Sequence, residues 1–363
     1  MYSKELNAIN KSNRYRKREL EDKDLIDFAS NDYLGFSSNK KLLEKTFEVV
    51  SSYVSHAPKS SQLVNGYHPI HQKFENYLTS INGFENAIVA GSGFLANIAL
   101  IEALPRKKDL LILDEQYHAS GVLASKLVDA KVKYFRHNDM ENLEEILLNS
   151  DFQRAIVAVE GIYSMSGDLV DRRVFDICDR FNALLIVDEA HSVGVVGKNL
   201  LGVFDLFGIK PKKNHIKMGT LGKALGSYGA YILSSSHIGE YLQNRAKSLI
   251  YATAPSLLDI ELANQGFLYM HKNTEEISEQ IYLRKEITKK YFGYDMSGLI
   301  FPLEIQSSKD VLEMQKKLQK QGFSVGAIRP PTVEIAMLRI IPRINIEKKV
   351  YEKICRFLSE VKN

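Results

Sequence analysis

The stretch that decides the fold reads Ala183-Leu-Leu-Ile-Val-Asp188-Glu-Ala-His191 and, further on, Gly219-Thr-Leu-Gly-Lys223-Ala-Leu-Gly226. Its apolar start predicts a buried parallel strand that ends in an acid and an imidazole. In open α/β sheets, ligands bind at the carboxyl ends of the strands. Lys223 then follows in a turn so rich in glycine that it leaves little room for a solvated surface lysine. The stretch therefore predicts an α/β fold with a ligand site at Asp188 and Lys223.

This pair of residues indicates a particular cofactor chemistry. Pyridoxal 5'-phosphate (PLP) needs a lysine to form a Schiff base and a carboxylate to keep its pyridine nitrogen protonated, so that the ring accepts electrons. Lys223 and Asp188 supply those two groups. We therefore predict a PLP enzyme.

Two other kinds of site share parts of this pattern. Residues 188–191 read Asp-Glu-Ala-His, which is also a motif of a helicase family, and the segment before Lys223 resembles a phosphate loop. A phosphate loop needs a glycine five residues before its Gly-Lys pair and a hydroxyl residue directly after it. Here those positions hold Lys217 and Ala224, so an ATPase is disfavoured. A zinc site lacks a third ligand near Asp188 and His191, and we predict no metal.

Bulk properties narrow the class of protein. The chain has 363 residues, 45% of them hydrophobic and 25% charged, with a formal net charge of +4. Such dispersed, weak charge gives no case for nucleic-acid binding. Cys178 and Cys355 lie in apolar helical patterns, which is typical of core thiols in a reducing cytosol. Neither a signal peptide nor an apolar run of membrane-spanning length is present, so we expect a cytoplasmic protein that binds no membrane.

Strands and helices alternate from about Phe84 to Leu233. The predicted strands are Ala87–Ala90, Leu110–Leu113, Val132–Phe135, Ala155–Val159, Ala183–Val187 and Tyr228–Leu233. The predicted helices between them are Leu95–Leu104, Glu141–Leu148 and Arg172–Phe181. Alternation of this kind implies right-handed crossovers and a mainly parallel sheet that is covered on both faces.

The pattern changes near Ala254 and Pro255. We predict a long helical region from Ser256 to Tyr291, and then a set of separated strands and helices. That set comprises strands Leu299–Ile305, Ser324–Ile328 and Met337–Ile341 with helices Lys309–Lys320 and Glu347–Val361. We therefore expect an N-terminal arm (1–44), a large cofactor domain (45–255), and a linking helix with a small α+β domain (256–363). The arm has no strong period of its own and is expected to pack on the small domain.

Other strand ends carry polar residues too. Gly91-Ser-Gly93 precedes a helix, and a helix N-terminus suits the cofactor phosphate, although an ordinary glycine turn would look the same. Thr220 could add a hydroxyl to that phosphate. His118 could stack on a planar cofactor or be a structural or solvated histidine, and Ser164 directs a hydroxyl toward the same edge. Four strand ends thus carry polar residues: His118, Ser164, Asp188 with His191, and Thr220 with Lys223. Together they predict one ligand site, because ligands collect along that edge.

These motifs, in this order, resemble the α-oxoamine synthases, which are PLP enzymes of fold type I. The similarity is carried by Phe28–Gly35, Gly66–His71, Ser92–Phe94, His118–Ser120, His137–Asp139, Glu160–Asp168, Val187–His191, Thr220–Lys223 and Tyr251–Thr253. The resemblance implies an aspartate aminotransferase-like large domain with a seven-stranded sheet, and a homodimer with shared active sites.

The resemblance also assigns roles to single residues. The implied catalytic residues are Lys223 as the Schiff-base lysine, Asp188 at the pyridine nitrogen and His118, which stacks on the ring. The remaining cofactor contacts are His191 at the phenolic oxygen, Gly93, Phe94, Ser164, Thr220, and Thr253 reaching the phosphate across the dimer interface. The implied substrate contacts are Asn31, Thr332, Arg339 as a carboxylate clamp, and Arg14.

By the same resemblance, the expected reaction is a decarboxylative condensation of L-alanine with a pimeloyl thioester of CoA or a carrier protein, in biotin biosynthesis. Glycine C-acetyltransferase, 5-aminolevulinate synthase and serine palmitoyltransferase share this chemistry and are the alternatives. A plain aminotransferase and a non-catalytic PLP-binding protein are more distant ones. Ala57–Leu63 lacks the expected glycines, and the segment between Thr332 and Arg339 is about two residues shorter than the family pattern. We expect these departures to affect the specificity for the acyl chain and the register of Arg339, and to leave cofactor binding intact.

Overall fold

The computed structural model describes residues 1–12, 15–18, 20 and 22–362. The strands are β1 (Ile26–Asp27), β2 (Asn86–Ala90), β3 (Leu110–Asp114), β4 (Lys131–Phe135), β5 (Ala155–Glu160), β6 (Leu184–Asp188), β7 (His215–Thr220), β8 (Ala230–Ser234), β9 (Phe301–Glu304), β10 (Phe323–Ser324), β11 (Gly326–Ile328) and β12 (Met337–Ile340). The helices are α1 (Ser3–Lys11), α2 (Lys40–Ser51), α3 (Pro69–Asn82), α4 (Gly93–Ala103), α5 (Ala119–Ala124), α6 (Met140–Leu148), α7 (Arg173–Arg180), α8 (Val203–Leu206), α9 (Ser236–Arg245), α10 (Lys247–Ile250), α11 (Leu257–Lys272), α12 (Thr274–Phe292), α13 (Ser308–Lys320) and α14 (Lys348–Lys362). Among the described residues, no helix is both long enough and apolar enough to cross a membrane.

The central sheet has seven strands in the order β2-β8-β7-β6-β5-β3-β4. Neighbouring strands from β4 to β7 are parallel, whereas β8 runs antiparallel to both of its neighbours. The carboxyl ends of β2 to β7 therefore meet at one edge of the sheet. The prediction of a mainly parallel, aspartate aminotransferase-like sheet is confirmed.

The sheet is buried on both faces, which explains the continuous apolar runs of its strands. Along β5, Ala155, Val157 and Val159 join one apolar cluster, while Ile156 and Ala158 join the cluster on the opposite face. Each larger side chain removed from water in this way contributes about 1.5–3 kcal/mol. This burial fixes the register of the strands, and with it the positions of the residues that follow them.

The C-terminal elements have their own apolar cluster. The antiparallel strands β11, β12 and β9 carry Leu338 and Phe301 into it, and α14 adds Tyr351. Phe28 joins the same cluster, next to β1, which pairs in parallel with β10. Residues 26–28 of the predicted arm therefore pack on the C-terminal elements, as the sequence suggests, while the division into three domains stays a prediction.

Two elements differ from the sequence prediction. Strand β7 was not predicted, because Lys217 interrupts its apolar pattern; the lysine is nevertheless fully buried and donates to Asn82 Oδ1 at 2.8 Å. The single helical region from Ser256 to Tyr291 is in fact two helices. Asn273, with φ −118° and ψ 27°, separates α11 from α12.

Candidate active site

The edge of the sheet brings the N-terminus of α4 next to Thr220. Ser92 caps this helix, its Oγ accepting the backbone N–H of Leu95 at 3.2 Å. A Cβ built on Gly93 would lie 3.6 Å from Thr220 Cβ, so the two backbones approach closely. The first N–H groups of a helix have no partner within it and carry partial positive charge. This corner therefore offers amide donors and a hydroxyl to an anion.

Lys223 and His191, which lie 32 residues apart, meet directly: Lys223 Nζ is 2.8 Å from His191 Nε2. Burial lowers the pKa of Lys223 to about 8, although the charges of Asp188 and Glu160 oppose the shift. Burial also lowers the pKa of His191 well below its usual range, and the charge of Lys223 adds to the effect. The imidazole is therefore neutral and accepts from the lysine at Nε2.

The other nitrogen of His191 contacts a tyrosine. His191 Nδ1 lies 2.5 Å from Tyr33 Oη. Since Nε2 accepts from Lys223, Nδ1 carries the ring proton and donates it to Tyr33 Oη. Tyr33 in turn reaches Asn31 Oδ1 at 3.5 Å. Tyr33 and Lys223, which are far apart in sequence, thus fix the orientation of His191 from its two ring nitrogens.

Asp188 is held by a network of its own. Its Oδ1 accepts the N–H of Ala190 at 3.0 Å, and its Oδ2 accepts Asn97 Nδ2 at 2.9 Å. Tyr117 donates to Asn97 Oδ1 at 2.6 Å. Burial raises the pKa of Tyr117 well above its usual range, so the phenol stays a donor. The carboxylate is therefore pre-oriented, with only 3% of the residue exposed.

His118 caps the N-terminus of α5. Its Nδ1 accepts the N–H of Ser120 at 3.2 Å and lies 2.7 Å from Ser120 Oγ. Burial lowers the pKa of His118, against the opposing charge of Asp188, and Lys223 lowers it further. A neutral ring that accepts at Nδ1 carries its proton at Nε2. The cap thus fixes the ring orientation, and stacking on the cofactor stays a prediction.

Arg339 is 5% exposed and reaches the same region from β12. Its Nε donates to the carbonyl oxygen of Ser164 at 2.7 Å and its Nη1 to Asn31 Oδ1 at 2.8 Å. Its Nη2 is buried and has no hydrogen-bond partner within the described chain. In the structure, Arg339 therefore lies beside Asn31, which is predicted to contact the substrate, and Ser164, which is predicted to contact the cofactor.

Glu160 ends β5 and contacts Ser164, the residue whose carbonyl oxygen accepts from Arg339. Its Oε2 accepts the N–H of Ser164 at 3.0 Å, whereas its Oε1 is buried and unpaired among the described residues. Burial raises the pKa of Glu160 well above its usual range, and the charge of Asp188 adds to that rise. Burial and the charge of Asp188 therefore favour the protonated form of Glu160, whereas the charge of Lys223 favours its ionised form.

The remaining predicted residues lie farther out. Thr332 lines a cavity of about 1120 Å³ together with His118 and Ser164. Phe94 is 45% exposed on α4, and Thr253 pairs with Ser61 through an isolated antiparallel bridge. Neither of them forms a described contact with Lys223. Arg14 lies outside the described residues.

The sequence reasoning missed several residues of this site. Tyr33 lies inside the quoted Phe28–Gly35 motif, and Asn97 follows Gly93 by one helical turn, so both carried a positional signal. Tyr117 directly precedes His118. Glu160 was quoted only as part of a motif, and its role needed the three-dimensional contacts.

His137, which the sequence analysis names only within the His137–Asp139 motif, is held between two carboxylates. Its Nδ1 lies 3.0 Å from Asp114 Oδ1 and its Nε2 lies 2.8 Å from Asp168 Oδ2. Tyr163 donates to the other oxygen of Asp114 at 2.8 Å. Burial acts to lower the pKa of His137, but hydrogen bonds to the two carboxylates outweigh it and raise the pKa to about 10. The imidazolium therefore ties the ends of β3 and β4 to the loop after β5.

These residues fit pyridoxal phosphate. The helix N-terminus at Gly93, with Thr220, suits a phosphate, and Asp188 suits a protonated pyridine nitrogen. Lys223 supplies an amine whose pKa is already lowered. The unpaired Nη2 of Arg339 is a buried donor of the kind that a substrate carboxylate satisfies.

Comparisons with known proteins agree with this geometry. The family model for aminotransferase class I and II matches residues 23–358. An 8-amino-7-oxononanoate synthase from Helicobacter pylori is 45% identical over 342 residues, covering 94% of this chain and 92% of that protein. A putative 8-amino-7-oxononanoate synthase from Aquifex aeolicus is 36% identical, covering 98% and 97%.

Solved structures show the same fold. A serine palmitoyltransferase from S. paucimobilis superposes with a TM-score of 0.88 at 21% identity, covering 98% of this chain and 95% of that one. An 8-amino-7-oxononanoate synthase from Francisella tularensis gives a TM-score of 0.76 at 27% identity, covering 94% and 99%. The chain therefore belongs to the class I and II aminotransferase family and, within it, to the α-oxoamine synthases, enzymes whose cofactor is pyridoxal phosphate.

Proposed function

We propose that this protein joins L-alanine to a pimeloyl thioester, with loss of carbon dioxide and the thiol, to form 8-amino-7-oxononanoate in biotin biosynthesis. The observation that carries the proposal is the 45% identity to a synthase of that name over 94% of this chain. The carbon count is consistent: three carbons of alanine and seven of the acyl chain, less one lost as carbon dioxide, give a nine-carbon product.

Bound pyridoxal phosphate supplies an electron sink that stabilises negative charge at the α-carbon of the amino acid. The protein's part is to place a base and a counter-charge around that carbon. Lys223, with a pKa of about 8, is a base matched to a pH near neutrality. Neutral His191 accepts from the lysine and gives the displaced amine a fixed partner. Asp188, oriented by Asn97, supplies the counter-charge.

Arg339 and Asn31 form the proposed clamp for the substrate carboxylate. Asn31 holds one end of the guanidinium at 2.8 Å, and the unpaired Nη2 remains to meet the carboxylate. A charge-assisted hydrogen bond to a buried guanidinium contributes about 1.5–3 kcal/mol. The clamp thus orients the amino acid, and the cavity lined by His118 and Thr332 is available to the acyl group.

The test is to incubate the purified holoenzyme with L-alanine and pimeloyl-CoA and to identify the products by mass spectrometry. The expected result is 8-amino-7-oxononanoate together with carbon dioxide and free CoA. Glycine, serine and palmitoyl-CoA serve as the matched alternatives. A product formed only from one of those substrates would overturn the proposal in favour of another α-oxoamine synthase.

We also propose a homodimer. One region exposes three large apolar side chains, Leu63, Val64 and Tyr251, which are 55%, 76% and 80% exposed. Exposed apolar patches of this kind mark protein–protein interfaces. Leu63 and Val64 lie in the short helical segment 62–66, which contacts α10, and Tyr251 directly follows α10. Thr253 lies beside them through its bridge with Ser61, which supports the proposal that it reaches a partner's site. Light scattering of the purified protein tests the dimer; a monomer at micromolar concentration would refute it. The cytoplasmic location stays a prediction.

A further inference from the structure

His118 lines a large cavity that combines apolar and charged side chains. This cavity measures about 1120 Å³ and lies between α5 and the segment 330–337. Apolar side chains line part of the cavity, with Val122, Leu123 and Ile335 among them. Lys126 is its one lysine or arginine among the described residues that line it. A pocket with an apolar wall and one cation suits a chain that ends in an anion.

The sequence of α5 explains this arrangement. Ala119, Val122, Leu123 and Lys126 are spaced i, i+3, i+4 and i+7, so they share one face of the helix and of the short helical turn that continues it. Lys126 is exposed and makes no side-chain hydrogen bond or ion pair with any described residue. The face therefore presents an apolar stripe that starts at His118 and finishes at an uncommitted ammonium group.

The dimensions match a seven-carbon acyl chain. Lys126 follows His118 by eight positions, and a rise of about 1.5 Å per residue places their Cα atoms roughly 12 Å apart along the axis. Long side chains on a helix lean back toward its N-terminus, which shortens the distance from the ring of His118 to the ammonium group. Six carbon–carbon bonds of about 1.5 Å span roughly 8 Å when extended. The far end of a pimeloyl chain thus falls within reach of Lys126.

We propose that Lys126 binds the far carboxylate of the acyl chain and so makes the enzyme prefer dicarboxylic over monocarboxylic acyl thioesters of equal length. This inference rests on the proposed function, because it assumes that the acyl group enters beside His118. It names the feature of the acyl donor that this chain selects.

Three carboxylates also line this cavity, and their positions affect where an anion can bind in it. Glu115 precedes His118, at the other end of the stripe, and its Oε1 accepts the N–H of His137 at 3.0 Å. Glu304 ends β9, and Glu334 lies in the segment between β11 and β12, on the wall opposite α5. Their charges repel an anion from that wall. The anionic end of the chain is therefore directed to the side of Lys126.

The test compares pimeloyl and heptanoyl groups, which have equal length and differ in the terminal carboxylate. Both are offered as CoA thioesters and as N-acetylcysteamine thioesters to the holoenzyme, and kcat/KM is measured for each. Wild type is expected to prefer pimeloyl on both carriers, and Lys126→Ala to reduce that preference about fivefold. Fivefold is ~1 kcal/mol, the upper end for a solvent-exposed ion pair. Lys126→Arg should keep the preference.

Lys131→Ala is the matched control, because Lys131 is also exposed but begins β4 at the amino edge of the sheet. It should leave the preference unchanged. Calorimetric titration with non-reactive thioether analogues of the two CoA substrates gives a readout without turnover, and the same loss is expected in the dissociation constants.

Two results would overturn the assignment of Lys126. One is an unchanged ratio in Lys126→Ala. The other is an equal loss for both CoA thioesters with no loss for the N-acetylcysteamine thioesters, which would place Lys126 on the carrier. A wild type that condenses neither acyl group with alanine refutes the proposed function instead, so the two failures are distinguishable.

Discussion

Replacing His137 by glutamine should change how the stability of this protein depends on pH. The imidazolium lies between the carboxylates of Asp114 and Asp168, at 3.0 and 2.8 Å, with 18% of its side chain exposed. Glutamine retains the ability to hydrogen-bond but carries no charge. The variant therefore removes the positive charge while leaving a side chain of similar length in place.

The magnitude follows from proton linkage. The folded-state pKa of His137 is about 10, raised from the usual 6.5. Its stabilisation is therefore fully present below pH 6.5 and is lost as the pH rises toward 10. Between those values one such group changes the free energy of unfolding by about 1.4 kcal/mol per pH unit. Partial solvent contact weakens the effect, so we expect the advantage of wild type over the variant to shrink by about 2 kcal/mol between pH 7 and pH 9.

Urea unfolding of wild type and His137→Gln at pH 6, 7, 8 and 9 measures this difference. Groups common to both proteins, Lys223 among them, cancel in the subtraction. His56→Gln is the control, because His56 is exposed and should give no pH-dependent difference. A wild-type advantage that stays constant across this range would show that His137 is not charged in the fold and would refute the reasoning.

Four further changes test the site itself. Lys223→Ala should abolish turnover and the visible absorbance of lysine-bound cofactor, and retained turnover would exclude Lys223 as the base. Asp188→Asn should retain some cofactor but lower kcat by orders of magnitude, because an amide cannot hold the pyridine proton; stopped-flow rates check this. Arg339→Lys should raise KM for the amino acid about tenfold or more while kcat for the acyl step changes less, since it loses the Nη2 donor and the contact with Asn31. Tyr33→Phe removes the acceptor of His191 Nδ1 and should shift the pH profile of kcat/KM, because the partner of Lys223 is then less well oriented; an unchanged profile would contradict the proposed hydrogen-bond chain.

The sequence predicts well which residues collect at the carboxyl edge of the sheet, and the reason is physical. Parallel strands bring their carboxyl ends together, so polar residues that follow apolar runs, such as Ser164 and Asp188, must lie near each other. That logic needs no knowledge of side-chain contacts. It also located Lys223, because a lysine confined between glycines cannot be an ordinary surface residue.

Contacts that join distant segments could not be predicted in the same way. Arg339 and Asn31 are 308 residues apart, and only the packing of β1 and the C-terminal sheet brings them within 2.8 Å. The clamp around His137 has the same origin, since Asp114 comes from the end of β3 and Asp168 from the loop after β5. A lone histidine with no nearby ligand pattern looks solvated until the topology places two carboxylates beside it.

The neighbours Asp188 and Glu189 show why a short motif alone does not define a site. Asp188 points toward Asn97 and the cofactor edge, while fully buried Glu189 points into the protein and accepts the N–H of Val203 at 2.8 Å. Burial raises the pKa of Glu189, and the charge of Lys217, 3.9 Å away, opposes that rise. In an ATPase of the helicase type, by contrast, this acid would have to face a nucleotide. Here the oxygens of Glu189 already accept hydrogen bonds from the turn that begins α8. In the Asp188–His191 motif, Glu189 therefore holds a loop in position, and only Asp188 is left for chemistry.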